Sequence, residues 1–359
     1  MATANHTDLG NAIPHSENGE PARASVLLKL LDFDPPVNVT LAKDLDPKFN
    51  EKLLRDYEPF WEWVKQLKRS LELQKTADGT SGEKHPFHAD PYELKSIHIQ
   101  AVDLFGPRIG FLKYKSIIQN KTSNKGKPME LPGSIFMRGG SVGMLMILRP
   151  KDASDERWVI MTEQARIPAG SLSFLEIPAG MIDERTHDFK GAAANEIEEE
   201  TGLKINREHL LDMTELALKG SPNPENLKAA MYPSPGGSDE FIALFLWEQE
   251  MERLEIESLR EKLTGDKKQG EMITLKLIPY GDLWKVATRD GKTMVAWALY
   301  ESLKRAGILD DLGNVVDDGA GVPGRSAGMT LRNRRIAKRD PAKGPEDKGD
   351  SKSRKKKRV

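Results

Sequence analysis

The sequence predicts an α/β or α+β protein. Several apolar runs of strand length, such as FIALFLW, alternate or carry β-branched residues. A few segments instead show three- and four-residue apolar spacing. The last ordered segment, KTMVAWALYESLKRAG, reads as an amphipathic helix packed on the rest. A chain of 359 residues is long enough for one large domain or two. A 38% hydrophobic share with 30% charged residues places it among soluble globular proteins carrying some disordered sequence.

Taken in order, residues 1–24 are polar and expected to be disordered. They contain acids and lack both the apolar core of a secretory signal and the acid-poor bias of a transit peptide. No apolar run approaches the roughly 20 residues a membrane helix needs, so a cytoplasmic protein is expected. An N-terminal region over 25–130 begins with an apolar segment broken at Pro35-Pro36. Over 48–75, Leu53, Leu54, Tyr57, Phe60, Trp61, Val64, Leu67 and Leu71 recur at helical spacing. Packing on a sheet or a partner subunit explains Tyr57, Phe60, Trp61 and Trp63 better than a binding platform does. The polar stretch 75–92 holds His85 and His88 without metal-ligand spacing, so both read as surface residues.

The runs SIHIQAVDLF and RIGFLKYKSII alternate on either side of a Gly106-Pro107 turn and predict paired strands. A second region over 131–310 opens with the strands GGSVGMLMILRP and RWVIMTEQARI. Later come a Gly-rich turn, PSPGGSDE, the strand FIALFLW, a charged insertion over 249–270, and the strand EMITLKLIPY. From about 311 the chain lacks apolar periodicity and reads as a disordered tail. The net charge of −1 conceals an asymmetry. Residues 331–359 hold 13 Lys and Arg against 4 Asp and Glu, while the remainder is acidic, 41 against 51. The tail SKSRKKKRV resembles a nuclear-localisation signal, and such runs are as often merely solvated. Nothing beyond the tail suggests a nucleic-acid partner. The chain has no cysteine, which excludes disulfides, thiolate nucleophiles and Cys-ligated zinc.

The most informative stretch is 176–203, EIPAGMIDERTHDFKGAAANEIEEETGL. A short strand breaks at Pro178-Ala179-Gly180, and a polar loop leads into a helix ending at Gly202. Glu196, Glu199 and Glu200, spaced i, i+3, i+4, share a helix face, and Glu198 points elsewhere. Anions at a helix C-terminus oppose the helix dipole and repel one another. A hard divalent cation held by oxygens would offset both costs.

These residues resemble the Nudix box, G-x5-E-x7-R-E-U-x-E-E-x-G-U with U aliphatic. The run 196–203 fits its second half at every position, and Gly180 is its opening glycine. Two departures stand out. Gly180 and Glu196 are 16 positions apart, one more than the pattern prescribes. The early Glu of the pattern then falls near His187, with Glu184 and Asp188 as stand-ins. The Arg before the first helical Glu is Asn195, which can hydrogen-bond but brings no charge.

TEQARIP, EIPAGMID and YPSPGGSDE are similar to the ADP-ribose and ADP-sugar diphosphatase branch of that superfamily. AVDLFGPRIGFLKYK and IPYGDLWKVATRDGKTMVAWALYE are similar to plant ADP-sugar diphosphatases. The resemblance covers roughly 93–305. It implies an α/β/α sandwich around a mixed sheet, preceded by an N-terminal helix and a small antiparallel sheet, in a homodimer. It also implies hydrolysis of nucleoside diphosphate sugars to AMP and a sugar phosphate, using Mg²⁺ or Mn²⁺. The Ala179 carbonyl, Glu196, Glu199 and Glu200 would hold the metal, which neutralises the pyrophosphate and activates water. Glu271 is the first candidate general base, with Glu240 second. Arg166, Gly236 and Gly237 are candidate contacts for the substrate. Asn195 keeps a second reading open, a Nudix-fold binding or sensor protein that hydrolyses poorly.

Overall fold

The computed structural model describes residues 25–75, 84–124, 127–182, 188–265 and 272–316. The N-terminal extension, the basic tail, Glu184, His187 and Glu271 therefore lie outside the described residues.

β1 (Val26–Leu30) and β2 (Val37–Leu41) are the two halves of the Pro-broken apolar segment and pair antiparallel. The helical pattern over 48–75 is divided in two, α1 (Glu51–Arg55) and α2 (Glu58–Leu73). Pro59 lies in the first turn of α2, where a missing N–H costs nothing but a continuous helix could not pass. β3 (Glu93–Phe105) and β4 (Arg108–Asn124) form the expected antiparallel pair, turned at Gly106 with φ of 61°. β5 (Lys127–Leu131) and β6 (Ser134–Met137) both pair with β4.

This first sheet corrects one expectation. It has six strands rather than a few, and it is mixed, because β2 runs parallel to β3. The parallel pair arises because α1 and α2 intervene between those strands, as a parallel connection requires. Phe60 and Leu54 from the helices are fully buried against Ile97, Ile99, Leu112 and Tyr114 of the sheet. The aromatic cluster of α2 is thus chiefly a packing surface, with Trp61 donating to the Leu54 carbonyl at 2.9 Å.

The second sheet begins with β7 (Ser141–Pro150), β8 (Trp158–Arg166), β9 (Ser171–Glu176) and β10 (Ala179–Met181). α3 (Phe189–Thr201) follows, then β11 (Leu211–Asp212), α4 (Met213–Leu218) and β12 (Ile242–Met251). The segment expected as an insertion contains α5 (Arg253–Ser258) and β13 (Leu263–Thr264). Glu252 and Glu255 form a capping box that starts α5. β14 (Ile273–Pro279), α6 (Leu283–Val286) and α7 (Gly291–Arg305) complete the chain.

The strand order is β11-β12-β7-β8-β14-β13, with β10 on β7 and β9 on β8. β12 runs parallel to β7 and the other pairs are antiparallel, so the sheet is mixed as expected. β7 is buried on both faces, which explains its continuous apolar run. Val142, Met144, Met146 and Leu148 pack with Ala193 and Ile197 of α3. Leu145 and Ile147 pack on the other side with Ala296, Tyr300 and Leu303 of α7. Helices on both faces of a mixed sheet make the expected α/β/α sandwich.

Candidate active site

α3 is set by its ends. The Asp188 carboxylate caps the start, accepting from the Gly191 N–H at 2.8 Å. Asp188, one stand-in for the early glutamate, is therefore used as a helix cap and pairs with Arg207 at 3.3 Å. At the other end Gly202 adopts φ of 73° and its N–H returns to the Glu198 carbonyl at 2.9 Å. The Lys262 ammonium reaches the Thr201 carbonyl at 3.3 Å, and the Thr264 hydroxyl donates to the Glu200 carbonyl. A cation on the last carbonyls opposes the charge that makes an acidic C-terminal turn costly.

Ala193 and Ile197 anchor the helix on β7, which turns Glu196 and Glu200 toward β10. Glu200 is buried at 4% exposure. Its carboxylate accepts the Ala179 N–H at 3.0 Å and the Gln164 side-chain amide at 3.2 Å. Burial pushes its pKa up to about 8, and the Glu196 and Glu176 charges add to the rise. Glu196 lies directly over Gly180. A Cβ at that glycine would stand 1.7 Å from Glu196 Cδ and 2.1 Å from each of its oxygens. The opening glycine of the motif is required by this close approach, not by a left-handed backbone. Glu199 is exposed at the flank of the pair, Asn195 is exposed, and Glu198 pairs with Lys204 at 3.3 Å.

These donors fit a hard cation in a particular way. Among the described residues, no three Asp, Glu, His or Cys side chains surround a common point. Two carboxylates, Glu196 and Glu200, do meet at the strand break, and the buried one, Glu200, is driven toward its neutral form unless a cation partners it. Mg²⁺ typically takes one or two carboxylates and leaves its other positions to water and phosphate oxygens. The donor set suits that chemistry rather than a closed protein cage.

Behind the pair runs a buried ion network with no counterpart in the sequence reading. Glu176, 3% exposed at the end of β9, accepts from Arg166 Nε at 2.6 Å and is also paired with Lys292. Lys292 in turn pairs with Asp290 at 3.1 Å, the N-cap of α7, and the Thr293 hydroxyl accepts the Ile177 N–H at 3.0 Å. Arg166 is thus oriented by Glu176 beside the carboxylates. Glu176 is two residues before the strand break at Pro178, but sequence spacing alone gave no sign of Lys292, 116 positions away. Lys292→Met is expected to destabilise the fold by about 3 kcal/mol, at the low end for a broken buried pair because Arg166 remains. Chemical denaturation measures it, and an unchanged midpoint would show the network to be neutral.

Glu240 pairs with Arg138 at 3.3 Å, on the other side of β7 from Arg166. Its neighbour Asp239 accepts the Arg138 and Gly139 N–H groups at 2.8 and 3.1 Å. The structure therefore brings Ala179, Gly180, Glu196 and Glu200 together, with Glu199 and Arg166 beside them. Glu240, Gly236 and Gly237 stand on the separate 232–241 turn. A cavity of about 540 Å³ adjoins the strand break, bordered by Met181, Ile182, Arg138 and Arg108. A larger one, about 920 Å³, includes Gly236 and Gly237 in its wall and none of the carboxylates of α3.

Residues 137–297 match the family model of the NUDIX domain. The match starts at the end of β6 and ends within α7, so it spans the second sheet and its flanking helices. The chain is also similar to Nudix hydrolase 14, chloroplastic, of Arabidopsis thaliana, with 39% identity over 216 residues. That similarity covers 60% of this chain and 65% of the relative's length. Among the described residues no helix is long and apolar enough to cross a membrane.

Proposed function

We propose that the chain is a metal-dependent Nudix hydrolase that cleaves the pyrophosphate of nucleoside diphosphate sugars, with ADP-ribose and ADP-glucose as substrates. The observation that carries the reading is the packing of the Glu196 carboxylate on Gly180 beside the buried Glu200. Two carboxylates held together at a strand break repel an anionic substrate unless a divalent cation stands between them. Glu196, Glu200, the exposed Glu199 and the Ala179 carbonyl would hold Mg²⁺ or Mn²⁺. Once bound, that ion supplies Lewis-acid stabilisation of phosphoryl charge and a water of lowered pKa.

The chain's own residues fix the geometry of the reaction. The Ala179 N–H and the Gln164 amide hold the Glu200 carboxylate in place. Glu176 holds Arg166 by its Nε, leaving the guanidinium's two terminal nitrogens to meet a phosphate. Glu271 is assigned as general base, with Glu240 as the substitute; Glu240 is ion-paired, so it needs Arg138 to release it. The experiment is AMP release from ADP-ribose and ADP-glucose with Mg²⁺ or Mn²⁺ present. Absence of AMP across a panel of nucleotide sugars sinks the enzyme reading. The second reading, a ligand-binding protein with weak hydrolysis, is supported by Asn195, which is exposed where the motif has an arginine.

The protein is further assigned as a homodimer. Phe105 and Phe136, 46% and 43% exposed, join through Phe111 with ring centroids 5.1 and 5.3 Å apart. An aromatic patch of this kind on one sheet face suits a self-association surface. Light scattering is expected to give a mass near twice 40.1 kDa. A monomer at micromolar concentration would remove the dimer.

A further inference from the structure

The chain around the strand break at Pro178 is held from several elements. The Glu176 carbonyl accepts the Thr162 hydroxyl of β8 at 3.3 Å, and the Pro178 carbonyl accepts the Met144 N–H of β7 at 2.9 Å. The Ala179 N–H donates to the Glu200 carboxylate of α3 at 3.0 Å. Another hold comes from α7. The ladder of β9 with β8 ends at Glu176, so the N–H of the buried Ile177 needs a partner outside the sheet. It finds one in the Thr293 hydroxyl at 3.0 Å. Ile177 packs in the core on the α7 side, whereas Ala193 and Ile197 of α3 pack on the opposite side. Thr293 therefore acts on the strand break from the face opposite the glutamates.

The Thr293 hydroxyl is turned to receive that N–H. Asp290 caps α7, and its carboxylate accepts both the N–H and the hydroxyl proton of Thr293. A hydroxyl whose proton is committed presents its lone pairs, so the oxygen accepts from Ile177. In a capping box the third helical residue reaches back to the N–H of the cap. Here that N–H already donates to the Ala287 carbonyl at 2.9 Å, which leaves the Thr293 side chain to bond off the helix. Lys292 joins the Asp290 carboxylate, at 3.1 Å, to Glu176, the neighbour of Ile177. α7 thus grips two consecutive residues, Glu176 by charge and Ile177 by its peptide group.

Little freedom separates this grip from the carboxylates. Pro178 has a fixed φ and disfavours all but extended backbone at the preceding Ile177. A shift of the Ile177 peptide is passed on to Ala179, two residues away, rather than absorbed between them. Ala179 pairs with Gly143 of β7, and its N–H is the bond that orients Glu200. Gly180, the next residue, leaves the room that the Glu196 carboxylate occupies. Both glutamates take their places against a segment that one buried hydroxyl holds from behind.

We propose that Thr293 is a positioning residue of the metal site, setting through the Ile177 N–H where the Ala179 carbonyl and the Glu200 carboxylate stand. It touches neither cation nor substrate. That these groups hold a cation rests on the hydrolase reading. The test is titration of the full chain with Mn²⁺, the free ion being followed by electron paramagnetic resonance, which requires no turnover. Thr293→Val keeps the branched shape and loses the hydroxyl, and it is expected to weaken Mn²⁺ binding roughly tenfold or more. Thr293→Ser keeps the hydroxyl and is expected to bind Mn²⁺ within about twofold of wild type. A packing role alone would rank the two variants the other way, because Ser removes a buried methyl that Val retains. If Thr293→Val does not fold by circular dichroism, amide hydrogen exchange on wild type decides. Mg²⁺ is then expected to slow exchange at Ile177 several-fold, and exchange there that ignores the ion overturns the inference. Wild-type Mn²⁺ affinity in folded Thr293→Val, or weaker binding by Thr293→Ser than by Thr293→Val, overturns it and leaves the hydrolase reading standing. No Mn²⁺ binding to wild type sinks the hydrolase reading and takes this inference with it.

Discussion

Glu200→Gln is expected to lower AMP release from ADP-ribose by about a hundredfold or more while the protein still folds. The magnitude follows from removing a charge that stabilises a divalent cation and, through it, the phosphoryl oxygens. Such stabilisation is worth several kcal/mol, and each 1.4 kcal/mol or so is tenfold in rate. The fold survives for a different reason. Glu200 is buried, and burial raises its pKa to about 8, so the metal-free protein already favours the uncharged carboxyl that Gln resembles. Gln keeps the shape and one acceptor for the Ala179 N–H. It loses the acceptor for the Gln164 amide, a cost of about 1 kcal/mol. Glu199→Gln is expected to lose turnover comparably with no stability cost, since Glu199 is exposed. Steady-state kinetics with a thermal melt of each variant separates the two effects. Loss of folding together with activity in both variants would make the glutamates structural.

Gly180→Ala carries the second large effect, and its signature differs. The new methyl would occupy the place of the Glu196 carboxylate, 1.7 Å from its carbon. Glu196 is a flexible side chain, so it swings away rather than forcing the backbone apart. The stability cost is then modest, about 1–2 kcal/mol. The functional cost is large, because one of the two paired carboxylates leaves the strand break. Turnover is expected to fall at least tenfold with the melting temperature changed by only a few degrees. Gly281→Ala, where an added Cβ meets nothing within 4 Å, serves as the control and should change neither. Full activity in Gly180→Ala would mean that Glu196 does not act from this position.

The local features of the site were legible because their causes are local. Glu196 and Glu200 share a face by helical spacing, and Gly202 ends the helix with a positive φ that glycine favours. Glu198 was expected to point away and is exposed with Lys204. What escaped the sequence depends on chain segments meeting across the fold. Lys262 and Thr264 close the C-terminal turn of α3 from about 60 residues away. Lys292 reaches Glu176 from α7. Trp63, read as a packing residue, does pack on Tyr114 with ring centroids 5.1 Å apart, yet it also lines a cavity that only the 226–241 turns create. The parallel pairing of β2 with β3 was missed because alternation reports which face is buried, not strand direction. The Asn195 substitution remains visible in both views, an exposed amide where charge was expected.

The most direct test is AMP release from ADP-ribose with and without Mg²⁺, run side by side on wild type, Glu199→Gln and Glu200→Gln. AMP is expected only with the metal present, at a rate at least about a hundredfold higher in wild type than in either variant. Equal AMP release by all three proteins, or release that persists in excess chelator, would contradict it.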